Sequence, residues 1–331
     1  MKVLVLGGTA FLSAAVTREY LDRGHDVTCL SRSSSGRVPR GAREVIADRS
    51  RGREAYDNVS GEWDAVFDVA TVPQFVRDAL AALSLGAQHW TYVSSCSVYA
   101  DQNTPGGDES RETVDALHEG DASSHENYAA AKVACEAACR RVRGVDVLVV
   151  RSGLIVGPGD LSDRGGYWPA RFARDATPVL VPRAEGLFAQ MMHVGDLAQW
   201  LVHCAQRRVT GTMNAVGAPR ILDEVLDTMR RVADNSASVV HVEDQWLLEQ
   251  GVSPWAGVDS LPLWIPRGQG FDGFTSRSHA AALGHGLRER DIEDTIFDII
   301  GDERTRGLFR DRQAGLSAAR EASLIDRWRS R

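Results

Sequence analysis

Tyr128 and Lys132 are two residues that could exchange a proton with a substrate, and they stand four positions apart in an alanine-rich run. On a helix, this spacing places both side chains on one face, one turn apart. A free phenol has a pKa of about 10. A positive charge within a few Å favours the phenolate and lowers that pKa, so the pair is typical of a general acid or base.

Lysine is rare in this chain. Of its 38 basic residues, only Lys2 and Lys132 are lysine, and the rest are arginine. A chain that otherwise uses arginine therefore places a compact ammonium at position 132. We predict that a single helix from Ser123 to Arg143 carries the pair. The alternative interpretation is a surface helix with an isolated lysine.

A strand, a glycine turn and a helix open the chain. Residues 2–6 form a continuous apolar run, as expected for a parallel strand buried on both faces. Gly7 and Gly8 follow, and a helical pattern covers residues 14–23. Free backbone N–H groups at a helix start attract phosphate, but Ala10 and Ser13 replace the second and third glycines of the full fingerprint. A strand, turn and helix without a ligand is the alternative.

The end of the second predicted strand, residues 26–30, indicates which dinucleotide would bind. Ser31 and Arg32 follow this strand, and neither is a carboxylate. In dinucleotide folds, an acid near this point binds the ribose hydroxyls of NAD, whereas an arginine accommodates the 2′-phosphate of NADP. The pattern therefore favours NADP over NAD. Arg37 or Arg40 could add a second phosphate contact, although a solvated linker has the same composition.

Further strands are predicted at residues 44–47, 64–69 and 145–150, with a helix at 74–84. The run from Trp90 to Tyr99 has hydroxyl residues at the end of a strand, where open α/β sheets bind their ligands. Ser95 is the candidate for the hydroxyl that holds a substrate oxygen beside Tyr128, and a capping serine is the alternative. The polar segment from residue 103 to 124 is predicted to be a loop over the site.

The second half of the chain is rich in tryptophan and proline. Such a lobe is typical of a substrate pocket, although each tryptophan taken singly is more often part of a core. The tryptophans concerned are Trp168, Trp200, Trp246, Trp255 and Trp264. The tail from residue 302 to 331 mixes arginine with acidic residues, which is typical of a solvated helix face or a subunit contact.

Composition excludes several classes of function. The net charge of −7 argues against a general nucleic-acid or anionic-membrane binder. The chain has no apolar stretch of the roughly 18 residues that a membrane span needs, and it begins without a signal-peptide pattern, so we expect a cytoplasmic protein. The five cysteines lack CxxC spacing and the nine histidines lack ligand spacing. We therefore expect reduced thiols and no metal.

Taken together, these motifs resemble the extended short-chain dehydrogenase/reductase family, the NAD(P)-dependent epimerase/dehydratase proteins, over nearly the whole chain. The segments that carry the resemblance are Gly7-Gly8-Thr9-x-Phe11-Leu12, Ser94-Ser95-x-Ser97-Val98-Tyr99, Tyr128-x-x-x-Lys132, Arg151 through Gly157-Pro158, His193-Val194-x-Asp196-Leu197-Ala198, and Gly211-Thr212-Met213-Asn214. The resemblance implies an α/β fold with a Rossmann-type doubly wound parallel sheet and a smaller C-terminal substrate-binding lobe. The sheet domain would comprise residues 1–155 and about 189–218, and the lobe about 156–188 and 219–331.

The resemblance also implies the site residues. Ser95, Tyr128 and Lys132 would be catalytic: Tyr128 as the acid or base, Ser95 orienting the carbonyl or hydroxyl, and Lys132 tuning Tyr128 and binding the nicotinamide ribose. Asp48 and Val69 would lie on the adenine side. With the candidates from the strand ends, the predicted cofactor-binding residues are Gly7, Thr9, Ala10, Phe11, Leu12, Ser31, Arg32, Asp48, Val69, Ala70, Tyr128 and Lys132.

Three functions remain in competition. The first is an NADP-dependent oxidoreductase of the atypical, reductase-leaning branch, acting on a small molecule, with a homodimer as its expected assembly. The second is an NAD-dependent nucleotide-sugar epimerase that retains its cofactor. The third, a non-catalytic dinucleotide- or RNA-binding relative, is disfavoured by the intact Ser95, Tyr128 and Lys132 and by the negative charge. Sugar dehydration is disfavoured because Ser95-Cys96-Ser97 stands where such dehydratases carry Thr-Asp-Glu.

Overall fold

The computed structural model of the protein describes residues 1–34, 36–118 and 123–331. The strands are β1 (Lys2–Leu6), β2 (Asp26–Ser31), β3 (Arg43–Ile46), β4 (Trp63–Asp68), β5 (Ala87–Ser95), β6 (Leu148–Ser152), β7 (Leu154–Val156), β8 (Val179–Pro182), β9 (Phe188–Ala189), β10 (Met191–His193), β11 (Gly211–Ala215), β12 (Arg220–Ile221), β13 (Val239–Val242), β14 (Ser253–Pro254) and β15 (Ser260–Leu261).

The helices lie between these strands and after them. They are α1 (Phe11–Asp22), α2 (Pro73–Leu83), α3 (Tyr128–Arg143), α4 (Tyr167–Arg174), α5 (Val194–Gln206), α6 (Leu222–Val232), α7 (Asp244–Glu249), α8 (Ala280–Gly284), α9 (Ile292–Arg306) and α10 (Ala318–Arg329). Short 3₁₀ segments cover Arg49–Val59, Ser84–Gly86 and Cys96–Val98.

Seven parallel strands form the central sheet, in the order β11-β6-β5-β4-β1-β2-β3. From β1 the chain first builds outward through β2 and β3, then returns to β4 on the other side and continues through β5, β6 and β11. The order therefore reverses between β1 and β4, which is where doubly wound sheets bind their ligands. This arrangement confirms the predicted α/β fold with a doubly wound parallel sheet.

Helices cover both faces of the sheet because its strands are apolar on both sides. On one face, α1 and α5 pack together over a core that includes Val3, Val5 and Leu201. On the other face, α2 and α3 pack over Leu4, Leu6 and residues such as Trp90. The burial of both faces explains the unbroken apolar runs of the strands.

A separate buried cluster lies in the second half of the chain, formed by residues between 154 and 189, 222 and 264, and 296 and 325. Trp168, Trp246 and Trp264 belong to this cluster, and Trp200 to the core beside α5, so the structure places four of the five tryptophans in cores. The domain boundaries given above stay a prediction.

The starts of several elements differ from the sequence prediction by one to five residues. The central helix begins at Tyr128 and not at Ser123, because the Asn127 side chain accepts the Ser124 N–H (2.6 Å) and closes a turn before it. Strand β6 begins at Leu148 and not at Val145, since a turn bonds the Asp146 N–H to the Arg143 carbonyl at 3.0 Å. Helix α1 begins at Phe11, three residues before the predicted start.

The predicted loop over the site, residues 103–124, includes residues 119–122, which lie outside the described part of the chain. Its earlier portion packs against the segment around Arg277, where the Ser278 N–H donates to the Gly107 carbonyl at 3.0 Å. Across the described ranges, no helix is both long and apolar enough to cross a membrane.

Candidate active site

Ser95 and Tyr128 bring two hydroxyl groups together at the carboxyl end of β5. Ser95 is the last residue of that strand, and Tyr128 is the first residue of α3. The two side chains are close enough for Ser95 to affect the pKa of Tyr128. The Ser95 hydroxyl also accepts the Ser97 N–H at 3.1 Å and so caps the short 3₁₀ turn after the strand. Ser95 therefore caps the turn and also lies beside Tyr128, two possibilities that the sequence left as alternatives.

The pKa of Tyr128 is raised above its ordinary value. Burial is the main cause, because it disfavours the phenolate. Two neighbours oppose burial and lower the pKa of Tyr128: the nearby Ser95 hydroxyl, and the positive charge of Arg164. The phenol is therefore held in its protonated form at neutral pH.

Lys132 lies one turn further along α3 and is almost fully buried, with 3% of its surface exposed. Its ammonium donates to the carbonyl oxygens of Val93 (2.7 Å), Ala70 (3.1 Å) and Val69 (3.4 Å), at the ends of β5 and β4. Burial lowers the pKa of Lys132 to about 8. The expected lowering of the Tyr128 pKa by Lys132 is not seen in this arrangement, since the groups that lower it are Ser95 and Arg164.

A buried ion pair fixes helix α3 against the sheet. Glu136, which is fully buried, accepts from the Arg151 guanidinium at 2.9 and 3.1 Å. Burial alone would raise the pKa of Glu136, but its bonds to Arg151 hold that pKa below the ordinary value. Because Arg151 is on β6, this pair sets the position of the helix that carries Tyr128 and Lys132.

The glycine turn between β1 and α1 has the geometry of a phosphate site. Gly7 and Gly8 have positive φ angles of 135° and 101°, and a Cβ on Gly8 would come within 2.5 Å of the Cys29 sulfur. Helix α1 starts without a side-chain cap, because its N-cap residue is Ala10. The first backbone N–H groups of the helix are therefore available to an anion, and the turn fits a dinucleotide pyrophosphate.

Ser13, which replaces the third glycine of the fingerprint, closes this turn from inside. Its hydroxyl accepts the Gly8 N–H at 3.0 Å and donates to the Ala10 carbonyl at 2.8 Å. The substitution thus supplies two hydrogen bonds that tie the start of α1 to the turn. Thr9, Phe11 and Leu12 complete the same segment, as the sequence placed them.

The adenine end of the predicted cleft contains charges of both signs. The hydroxyl of Ser31, at the end of β2, donates to the Glu44 carboxylate on β3 at 3.0 Å. Arg32 is exposed and acts electrostatically on Asp48, whose pKa is lowered chiefly by its bond to the Ser50 N–H. Sequence reasoning missed Glu44, because only the pairing of β2 with β3 brings it beside Ser31.

Sequence reasoning also missed Arg164, the cation that acts on Tyr128. It lies in the loop of residues 157–166, between β7 and α4. Its guanidinium carbon lies over the Trp255 ring, 5.5 Å from the centroid, and its Nε donates to the Ser162 hydroxyl at 3.3 Å. The Gly157-Pro158 turn marked the start of this loop in the sequence, but no spacing rule linked Arg164 to Tyr128.

The neighbouring Asp163 anchors this loop to the end of the chain. Its carboxylate, 1% exposed, accepts from Arg306 (3.1 Å), from Arg310 and from the Gln313 N–H (2.7 Å). Burial alone would raise the pKa of Asp163, but these donors hold it below the ordinary value. Arg306 and Arg310 were predicted to belong to a solvated face or a subunit contact; instead they bind the loop within the chain.

Val69 and Ala70 follow β4, and their carbonyls face the Lys132 ammonium rather than open solvent.

In the described part of the chain, no group of three or more histidine, cysteine or acidic side chains is arranged to hold a metal ion.

Comparison with known proteins gives consistent matches. The model of the NAD dependent epimerase/dehydratase family matches residues 3–216. The human protein named epimerase family protein SDR39U1 is 27% identical over 241 residues, which are 65% of this chain and 74% of that protein.

Solved structures share the fold. A candidate epimerase from Burkholderia cenocepacia J2315 superposes with a TM-score of 0.70 at 18% identity, covering 92% of this chain and 98% of that one. The UDP-glucose 4-epimerase of Thermus thermophilus, solved in complex with NAD, gives a TM-score of 0.60 at 19% identity over 92% and 99% of the two chains. At these identities the similarity establishes the fold.

Proposed function

The chain belongs to the NAD-dependent epimerase/dehydratase family, and we propose that it is an NADP-dependent oxidoreductase that interconverts a hydroxyl and a carbonyl group of a small molecule. One observation carries the proposal. The Ser95 hydroxyl lies close enough to Tyr128 to affect its pKa, at the carboxyl edge of the sheet where Lys132 is also buried. Two hydroxyl groups at this place can hold and protonate one substrate oxygen.

The proposed chemistry assigns each group a task. Tyr128, held protonated by burial, would give its proton to the carbonyl oxygen of the substrate, and Ser95 would orient that oxygen. In the reverse direction Tyr128 would receive the proton. A bound nicotinamide would supply or accept the hydride.

Distinct residues would hold the parts of the dinucleotide. The pyrophosphate would bind the turn from Gly7 to Leu12, and Lys132 would hold the nicotinamide ribose. Arg32 would bind the 2′-phosphate, near Asp48 and Val69 on the adenine side. Arg32 is suited to this task because its guanidinium is exposed and forms no hydrogen bond with the rest of the described chain.

Identification of the nucleotide tests this proposal. Mass spectrometry of the purified protein, followed by an NADPH-oxidation screen over ketones and keto-sugars, should show NADP binding and NADPH consumption. Arg32→Gln should weaken NADPH binding roughly tenfold or more, since a hydrogen bond to a charged group is lost, and should leave NADH binding unchanged. Arg18→Gln, at an exposed position of α1, is the control. Equal loss of NADH and NADPH affinity in Arg32→Gln would contradict the assignment.

A second candidate is an NAD-dependent epimerase that retains its cofactor. The Glu44 carboxylate favours it, because its bond to Ser31 places an acid near the position that binds NAD ribose hydroxyls in dinucleotide folds. This candidate predicts that NAD co-purifies with the protein and that no net NADPH is consumed. Glu44→Gln should then shift the binding preference toward NADP, whereas the oxidoreductase proposal predicts that NADP is already preferred.

A further inference from the structure

The loop of residues 157–166 lies across both halves of the candidate site. Near its start, a Cβ on Gly159 would stand 3.8 Å from the Phe11 ring, so the loop passes beside the pyrophosphate turn. Further along, Arg164 is close enough to Tyr128 for the two side chains to interact electrostatically. The loop therefore passes the cofactor turn at Gly159 and brings Arg164 toward the reacting hydroxyl.

Arg164 presents one part of its guanidinium to protein and leaves another part available. Its face lies over Trp255, and Trp255 in turn packs edge-on against Phe274 with ring centroids 5.1 Å apart. Only its Nε is hydrogen-bonded within the described chain, to Ser162. The two terminal nitrogens are the donors that match the two oxygens of a carboxylate.

The neighbouring acids form no ion pair with this guanidinium in the described chain. Asp163 is directed to Arg306, Arg310 and the Gln313 N–H. Asp160 accepts the Ser162 N–H at 2.8 Å and acts on Arg164 electrostatically, from beyond ion-pair distance. A partly buried guanidinium without an ion-pair partner carries a desolvation cost that a bound anion offsets.

We propose that Arg164 binds a carboxylate of the substrate close to the reacting carbon, and that Trp255 and Phe274 pack against the apolar part of the same molecule. The substrate is then an acidic carbonyl or hydroxy compound. This inference rests on the proposed function, because the reacting carbon is defined by Ser95 and Tyr128. It adds the substrate class to that function.

Matched probes test the inference by binding alone, measured calorimetrically. Phenylpyruvate carries a carboxylate, whereas methyl phenylpyruvate carries an uncharged ester in its place. Dihydroxyacetone phosphate and dihydroxyacetone form the corresponding pair with and without a phosphate. Wild-type protein should bind phenylpyruvate roughly tenfold or more tightly than its methyl ester. Arg164→Gln should remove that difference in affinity. Arg164→Lys should keep part of it, because lysine has the positive charge but lacks the paired donor nitrogens of the guanidinium. Arg183→Gln, which alters an arginine with 56% of its side chain exposed, should keep the whole difference.

Each result decides a separate question. Equal affinity of wild-type protein for acid and ester, or a preference that survives Arg164→Gln, would overturn the inference. An Arg164-dependent preference for dihydroxyacetone phosphate alone would overturn the assignment to carboxylates. NADPH affinity, titrated in the same Arg164→Gln protein, should be unchanged. If wild-type protein bound no dinucleotide, the proposed function would fail while the comparison of acid with ester could still be made.

Discussion

Two cations of the candidate active site come from different regions of the molecule. Lys132 projects from α3, is 3% exposed, and donates to three backbone carbonyls. Arg164 comes from the loop after β7, lies over Trp255, and keeps two donor nitrogens free of partners in the described chain. In this structure the Lys132 ammonium is bound to backbone carbonyls, whereas Arg164 keeps two donor nitrogens for a ligand.

Lys132 and Arg164 owe their positions in the site to different features of the chain. The spacing of Tyr128 and Lys132 follows from helix geometry, since side chains four apart lie on one face. The approach of Arg164 requires the loop after β7 to be held near the start of helix α3. Only the second cation is among the groups that lower the pKa of Tyr128.

The largest effect should come from Tyr128→Phe, which removes the hydroxyl that is proposed to donate the proton. Turnover should fall by about 10²- to 10⁴-fold, the usual contribution of a positioned acid or base. Dinucleotide affinity and the free energy of unfolding should change little. Steady-state kinetics and nucleotide titration measure these effects, and Tyr167→Phe, at the start of helix α4, is the control. A variant that retained wild-type turnover would exclude Tyr128 as the proton donor.

The second-largest effect should come from Asp163→Asn. This change weakens the anchoring of the loop that carries Arg164 and should leave the surroundings of Lys132 unchanged. Removing a buried charge that faces Arg306 and Arg310 should lower the free energy of unfolding by roughly 3–5 kcal/mol. Dinucleotide binding should persist in the folded protein, whereas binding of phenylpyruvate should weaken.

Asp302→Asn is the control for that change. Asp302 pairs with the same Arg306 at 3.5 Å, and both side chains are 21% exposed. A pair with this exposure should contribute no more than about 1 kcal/mol. Chemical denaturation measures both variants, and equal losses of stability would show that Asp163 has no special role in anchoring the loop.

The smallest effect concerns the pH dependence that Lys132 gives to stability. Burial lowers its pKa from 10.5 to about 8, so between these values the unfolded chain binds a proton that the folded protein does not. The free energy of unfolding should therefore rise with pH across this window, by at most about 1.4 kcal/mol per pH unit. Below pH 8 both states are protonated, and the cost of burying the ammonium is fully present.

Lys132→Met should remove this rise, so the difference in unfolding free energy between wild type and variant should change steadily from pH 8 to 10.5. Because buried tyrosines and cysteines also titrate there, the difference is the informative quantity. Lys2→Met alters the only other lysine, which lies over Trp63, and should follow the wild-type profile. Parallel profiles for wild type and Lys132→Met would contradict the lowered pKa.

Much of the fold could be read from local patterns. The apolar run of β1, the glycine turn and the start of α1 follow from interactions between near neighbours, as does the pairing of Tyr128 with Lys132 on one helix. Element starts were displaced by a few residues where hydrogen bonds formed turns, as at Asn127 and Arg143. Such bonds depend on local conformations that the sequence pattern does not report.

The sequence by itself determined the buried strands, the glycine turn and the positions of the hydroxyl and ammonium groups of β5 and α3, because periodicity and short motifs encode contacts between near neighbours. The doubly wound order of the sheet was implied by the family resemblance. Only the tertiary structure decided which charges meet there. Asp163 and Arg306 are 143 positions apart, and Glu44 reaches Ser31 through the pairing of two strands. Contacts of this range depend on how whole elements pack, so no local pattern could place Arg164 beside Tyr128.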